Sequence, residues 1–203
     1  PPSTARAARR RIAAVHRTAA ARLEPEITAL NDAISARRAA GQRIPISWLH
    51  DAARLPRLLA AIHRELRAGV PELAEIVAAE REAAATSGVD DALQLLRDAV
   101  NDPQLRVVAL RPELVAQAVA QAESAAVRRL LATLPADASA RVEQAVVQGV
   151  ALQRGPERVS RDIAQALDGN RARARTIART EMHRAYRETS RRTWRAQRDV
   201  VAG

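Results

Sequence analysis

The chain has no cysteine, no phenylalanine and no lysine, and its 203 residues carry only three aromatic side chains, Trp48, Tyr186 and Trp194. Without cysteine there is no disulfide framework and no thiolate metal site. So few aromatics also weigh against a β-rich core, because strands draw on aromatic and β-branched side chains. No apolar run approaches the ~20 residues of a membrane span, and no stretch has the layout of a secretory leader. A role in the cytoplasm, or in something assembled there, is therefore expected, with no membrane partner. The chain opens on PPST without a methionine, which fits a fragment or a processed product. Glycine is scarce as well, and its seven residues fall mostly where helices would stop. No glycine-rich phosphate loop or GxSxG elbow is among them.

What the chain does have is aliphatic. Hydrophobic residues make up 47%, dominated by Ala, Leu, Val and Ile, a palette suited to helices packed closely on one another. The expected fold is all-α: a multi-helix bundle of long helices with proline kinks and at most one short strand-like segment. A first helix should run from a cap at Ser3 or Thr4 to Gly41, with Ala8, Ile12, Val15, Ala19, Leu23, Ile27, Leu30 and Ile34 on one stripe and a kink or break at Pro25. Ser47 should cap a second helix ending at Gly69 and disturbed by Pro56. Pro71 should open a third that Gly88 closes, and Asp90 a short fourth to about Val100. Asn101-Asp102-Pro103 is the clearest break; it separates an N-terminal helical region, residues 1–103, from a C-terminal one, residues 104–203. LRVVAL, residues 105–110, is the only strand-like run. Beyond it, helices are expected from Pro112 to about Leu134, from Pro135-Asp137 to near Gly155, from Pro156 to Leu167 with a stop at Gly169-Asn170, and from Arg171 to Arg198.

All 33 basic residues are arginine and the net charge is +10. Guanidinium forks suit phosphates and carboxylates and stay charged at any relevant pH. Residues 171–198 hold ten Arg against two Glu, a net of +8, so most of the excess belongs to the last helix. At roughly 100° per residue, Ala174, Ala178, Met182, Ala185, Tyr186, Thr189, Thr193 and Ala196 share one side of it. Arg173, Arg184, Arg187, Arg191, Arg195 and Arg198 share the other. Glu181, Arg184, Glu188 and Arg192 follow one another along the rim at ion-pairing steps. Glu181 lies nearest the apolar side, so the alternative to pairing along the rim is burial against an arginine of another helix, with Arg154, Arg158 and Arg161 of the preceding one as candidates. A smaller basic run, Arg6 to Arg22, precedes the first acid, Glu24. The cationic face would be either a solvated surface or a site for a polyphosphate or an acidic protein, binding with steep salt dependence and little sequence preference. The four histidines, His16, His50, His63 and His183, share no zinc-site spacing. His50-Asp51 beside Trp48 reads as a helix-start surface pair rather than an acid–base pair. No catalytic residue, metal site or cofactor is expected.

The stretch ALQRGPERVSRDIAQALDGNRARARTIARTEMHRAYRETSRRTW resembles the tailed-phage head-morphogenesis family, the Mu F-like minor capsid proteins. The residues that carry the resemblance are Gly155, Ile163, Ala164, Leu167, Arg173, Ala174, Ile177, Ala178, Arg179, Thr180, Glu181, Ala185 and Tyr186. It covers roughly residues 110–200. Arg187 stands where an asparagine is common, and the segment bearing Cys or His that often follows in the family is missing, so the domain is expected to be shortened at its C-terminus. The resemblance implies a minor head protein of the virion, in several copies at the portal vertex inside the capsid, with the portal protein as partner and packaged double-stranded DNA as a further contact through phosphates. Residues 1–103 would then be a second unit or a portal-contacting arm. It also implies that Arg179, Thr180 and Glu181, with Ala185 and Tyr186, are structural residues fixing the last helix on its neighbours. Glu181 beside Arg179 invites comparison with ADP-ribosyl transfer, but that chemistry uses a β-rich fold and an aromatic pocket, which this chain lacks. From another class, a stand-alone nucleoid-type DNA-binding protein would share the basic helix without needing a portal, and a helical scaffold would need no polyanion at all.

Overall fold

The computed structural model describes residues 2–51, 54–99 and 125–196, and every regular element among them is a helix. Helix α1 spans Pro2–Ala39, α2 Ile46–Asp51 and α3 Arg54–Ala99; α4 is helical over residues 125–132; α5 spans Leu134–Ala151 and α6 Pro156–Ala196. The chain is thus the all-α, multi-helix protein its composition predicts. The LRVVAL run and the break at Asn101-Asp102-Pro103 lie outside the described residues.

Several expected breaks are helix interior instead. α1 continues through Pro25, and α3 through Pro56, Gly69, Pro71 and Gly88. Pro25 and Pro71 are both exposed, so the carbonyl that loses its intrahelical donor faces water and the loss is tolerated. Pro56 is in the first turn of α3, where no helical acceptor waits for its missing N–H. Gly69 permits close approach: a Cβ there would lie 2.7 Å from Val15 Cγ1. Gly169 likewise faces Arg141, and Asn170 beside it is buried, so both serve packing inside a single α6. Gly41 does end α1: at φ +68° its N–H reaches Arg38 O (2.8 Å), and Gln42 N–H reaches Arg37 O (3.0 Å), the hydrogen-bond pattern of a left-handed C-terminal cap.

The chain divides into two compact units. An aliphatic unit comprises Ile12–Leu73 and Leu130–Arg175, and a terminal unit comprises Pro1–Arg11, Ala74–Arg129 and Thr176–Gly203. Each draws on both sides of residues 101–104, because α1, α3 and α6 each contribute one end to one unit and one to the other.

In the aliphatic unit, Leu23, Leu30 and Ile34 of α1 join Leu49 of α2, Leu55, Leu58 and Ile62 of α3, Val142 and Val146 of α5, and Val159 and Ile163 of α6 in one core cluster. Each is fully or almost fully buried, and truncating one such Leu or Ile to Ala costs about 2–5 kcal/mol. Polar contacts fix the register around it, including Asn31 Nδ2 donating to Ser160 Oγ (2.5 Å) and Arg154 to Asp162 (2.7 Å). Trp48 is held by two guanidiniums, Arg37 at 5.2 Å and Arg54 at 4.4 Å from its ring centroid.

In the terminal unit, α3 and α6 run parallel and in register. Arg81 meets Glu181, Ala85 packs on Ala185, and Gly88 abuts Thr189.

Candidate functional site on the last helix

Within the terminal unit, α6 buries Ala178, Glu181, Ala185, Thr189 and Thr193 at steps of three and four. Burying two threonines is cheap here because their hydroxyls are satisfied within the helix. Thr189 Oγ1 donates to Ala185 O or Tyr186 O, each 2.9 Å away, and Thr193 Oγ1 to Thr189 O at 2.9 Å, the back-bonding open to threonine in a helix. The contact with α3 is close enough to require glycine. A Cβ on Gly88 would overlap Thr189 Oγ1 and lie 2.6 Å from Tyr186 O. Ser190 Oγ donates to Gly88 O (3.0 Å) and Tyr186 OH donates to Asp91 Oδ2 (2.9 Å), fastening the two helices along that contact.

Of the two readings open for Glu181, rim pairing and burial, the structure takes burial, but not against the candidate arginines. Its Oε2 lies 4.0 Å from Arg81 Nε, with the side chains 6% and 2% exposed. Of the expected arginines, Arg154 and Arg158 hold Asp162 at 2.7 and 3.3 Å, and Arg161 Nε donates to Glu157 O at 3.4 Å. The physical reason is that α6 does not fold back at Gly169-Asn170: Arg154, Arg158 and Arg161 belong to the aliphatic unit and Glu181 to the terminal one.

The structure separates the five signature residues. Glu181 and Ala185 are buried, and Tyr186 is half-buried with its hydroxyl on Asp91, so these three face the helix contact. Arg179 and Thr180 are exposed and do not share that packing role.

The cationic face sorts in a similar way. Arg173 falls in the aliphatic unit, half-buried, with its guanidinium on the Asp137 carboxylate and 3.5 Å from Thr133 Oγ1; it is a structural ion pair and not part of an open face. Arg198 lies outside the described residues. Arg184, Arg187, Arg191 and Arg195 are exposed on the terminal-unit stretch of α6, and of these Arg187 and Arg195 have no ion pair among the described residues. On the rim, Glu188 accepts from Arg192 Nε at 2.8 Å and lies 4.0 Å from Arg191. The Arg192 hydrogen bond, with the Arg192, Arg191 and Arg195 charges behind it, holds the Glu188 carboxyl below its usual range. Trp194, 42% exposed, sits among these arginines, three residues after Arg191 and seven after Arg187.

No family model, curated protein or solved structure matches the chain.

Two buried groups escape a sequence reading focused on charge runs. Arg81 occupies a position on the apolar stripe of α3, between Val77 and Ala85, and a charge on a core stripe signals a buried partner. His16 occupies the corresponding place on the stripe of α1, between Ile12 and Ala19. It borders a cavity of about 400 Å³ in the aliphatic unit, walled by Leu23, Ile27, Leu66, Leu167 and Arg171 among others. Burial, then the Arg171 and Arg175 guanidiniums, lower the His16 pKa to about 4, so its ring is neutral at physiological pH. His50, His63 and His183 are all exposed. Among the described residues no three His, Asp or Glu side chains gather as metal ligands would, and no helix is long and apolar enough to cross a membrane.

Proposed function

We propose that the protein is a structural, non-enzymatic minor capsid or head-morphogenesis protein of a tailed phage or a phage-derived particle, present in several copies at the portal vertex inside the head. The observation that carries this proposal is the setting of the IARTE segment. Its glutamate is sunk against Arg81 while Ala185 and Tyr186 line the same helix contact, so three of the residues that carry the resemblance, Glu181, Ala185 and Tyr186, hold a helix in place and leave the arginine face outward. That division suits an assembly component better than a catalyst. The outward face is then available to the portal protein or to packaged DNA. Mass spectrometry of purified particles, and co-purification with portal rings, test the proposal: the protein should be found in both, and its repeated absence from both overturns the assignment.

The competing reading is a stand-alone nucleoid-type DNA-binding protein, favoured by the +8 charge of residues 171–198. A salt series of duplex binding separates the two. A compaction protein binds duplex tightly by itself, and its affinity falls steeply with salt; a head protein binds duplex weakly and prefers its protein partner.

A further inference from the structure

We propose that the exposed ridge of α6 formed by Arg187, Arg191, Trp194 and Arg195 is a docking seam for an acidic amphipathic helix of a partner protein. The proposal deepens the reading above by giving the chemistry of the partner, and it rests on that reading only for its setting in a particle.

Three observations converge on this surface. The first is its charge. Arg187, Arg191 and Arg195 are exposed, and the acids of this stretch fall short of them: Glu181 is buried against Arg81, and Glu188 divides its single charge between Arg192 at 2.8 Å and Arg191 at 4.0 Å. Like charges four residues apart weigh against an isolated helix, so a row of arginines that outnumbers the one accessible glutamate beside it is complementary to an external anionic surface. The second is the indole. Trp194 is the more exposed of only two tryptophans, at 42%, and lies on the same side as the arginines. Tryptophan and arginine are the side chains most concentrated in the energetic centres of protein–protein interfaces. The third is spacing. Residues 184, 187, 191 and 194 advance by three, four and three, the repeat by which one helix seats along another.

These features distinguish the partner. Duplex phosphates would engage the guanidiniums but give the indole nothing to do. Sequential stacking on single strands uses a track of several aromatics, and this face has one. A helix carrying Asp or Glu at matching steps satisfies the arginines, and an apolar side chain at the level of Trp194 covers the ring.

The test uses the full chain in a Trp48→Phe background, so that Trp194 is the sole indole. The probes are a designed acidic amphipathic peptide of about three heptads, its sequence scramble, and a duplex DNA of about 20 base pairs. The designed peptide is expected to shift Trp194 emission to the blue, saturably, at physiological salt, while the scramble does not. With peptide anisotropy as the readout, Trp194→Ala weakens binding at least about tenfold, and so does the Arg187→Gln/Arg191→Gln/Arg195→Gln triple variant with its helical circular dichroism intact. Equal binding of the scramble overturns the proposal, as does tight duplex binding that Trp194→Ala leaves unchanged while the peptide fails to bind. The two readings fail separately. A protein that co-purifies with particles but ignores the acidic peptide keeps its place in the head and loses the seam; one that binds the peptide yet is absent from particles keeps the seam and loses the head assignment.

Discussion

Replacing Glu181 by glutamine keeps the shape of the side chain and removes the charge that faces Arg81. At 4.0 Å, and with an effective dielectric constant of about 20, the attraction between the two charges is about 4 kcal/mol. Desolvation of each ion costs several kcal/mol, so the pair as a whole contributes little net stability. Removing one member is a different matter, because the desolvation of Arg81 remains while its attraction to Glu181 is gone. That imbalance is expected to cost about 3–5 kcal/mol, a large share of the 5–15 kcal/mol that holds a typical protein folded. Urea unfolding of Glu181→Gln, Arg81→Met and the double variant measures the effect. The double-mutant cycle subtracts whatever else either side chain touches and should leave a coupling of about 1–3 kcal/mol. A Glu181→Gln protein within about 0.5 kcal/mol of the parent, or a cycle with no coupling, would refute the account of this pair as the buried fixing of α6 on α3.

Three further outcomes follow from the same geometry. His16 titrates near 4 when folded against 6.5 ordinarily, so the unfolded chain binds its proton more readily; this contribution is complete above about pH 6.5 and is lost as pH falls toward 4, up to about 3 kcal/mol. His16→Leu should flatten that part of the stability–pH curve, and an unchanged slope would contradict the assignment. Gly88→Ala should destabilise by about 1–3 kcal/mol through overlap with Thr189, despite the better helix propensity of alanine; an unchanged melting temperature would count against the close α3–α6 contact. The Arg187→Gln/Arg191→Gln/Arg195→Gln variant should be as stable as the parent or slightly more so, since each relieved like-charge pair returns about 0.2–0.5 kcal/mol, and a loss above about 1 kcal/mol would mean these arginines hold the fold.

Helix class and most of the stripe membership were legible from spacing alone: Ile12, Ala19, Leu23, Leu30 and Ile34 of α1 are buried as predicted, and so are Ala174, Ala178, Ala185, Thr189 and Thr193 of α6, whereas Ala196, placed on the same side, is exposed. Helix length was not. Pro25, Pro71, Gly69, Gly88 and Gly169-Asn170 read locally as breaks, and each continues a helix for a reason lying elsewhere in the fold, either water on the proline side or a neighbouring side chain against the glycine. The same misreading of Gly169-Asn170 sent Glu181 toward Arg154, Arg158 and Arg161, because only a chain that doubles back there could bring those residues to it. Arg81 lies a hundred residues earlier in the chain, and no local pattern links it to Glu181.

The arginine excess of the last helix therefore has two physical meanings. In the aliphatic unit, Arg173 answers Asp137 and Arg171 answers Asp168 at 3.2 Å, so charges that look like part of a cationic face are spent on structure. Beyond residue 175, the two described acids of the helix are either buried, as Glu181 is, or shared between Arg192 and Arg191, as Glu188 is. Segregating the positive charge to one stretch of one face has a cost in helix stability that dispersing it would avoid, and placing an exposed indole there adds a further cost in apolar exposure. Both costs are returned if something anionic and partly apolar covers that face. Solvent screens the repulsion but leaves the indole uncovered, and that difference is the physical reason to seek a partner at Arg187, Arg191, Trp194 and Arg195 among the described residues.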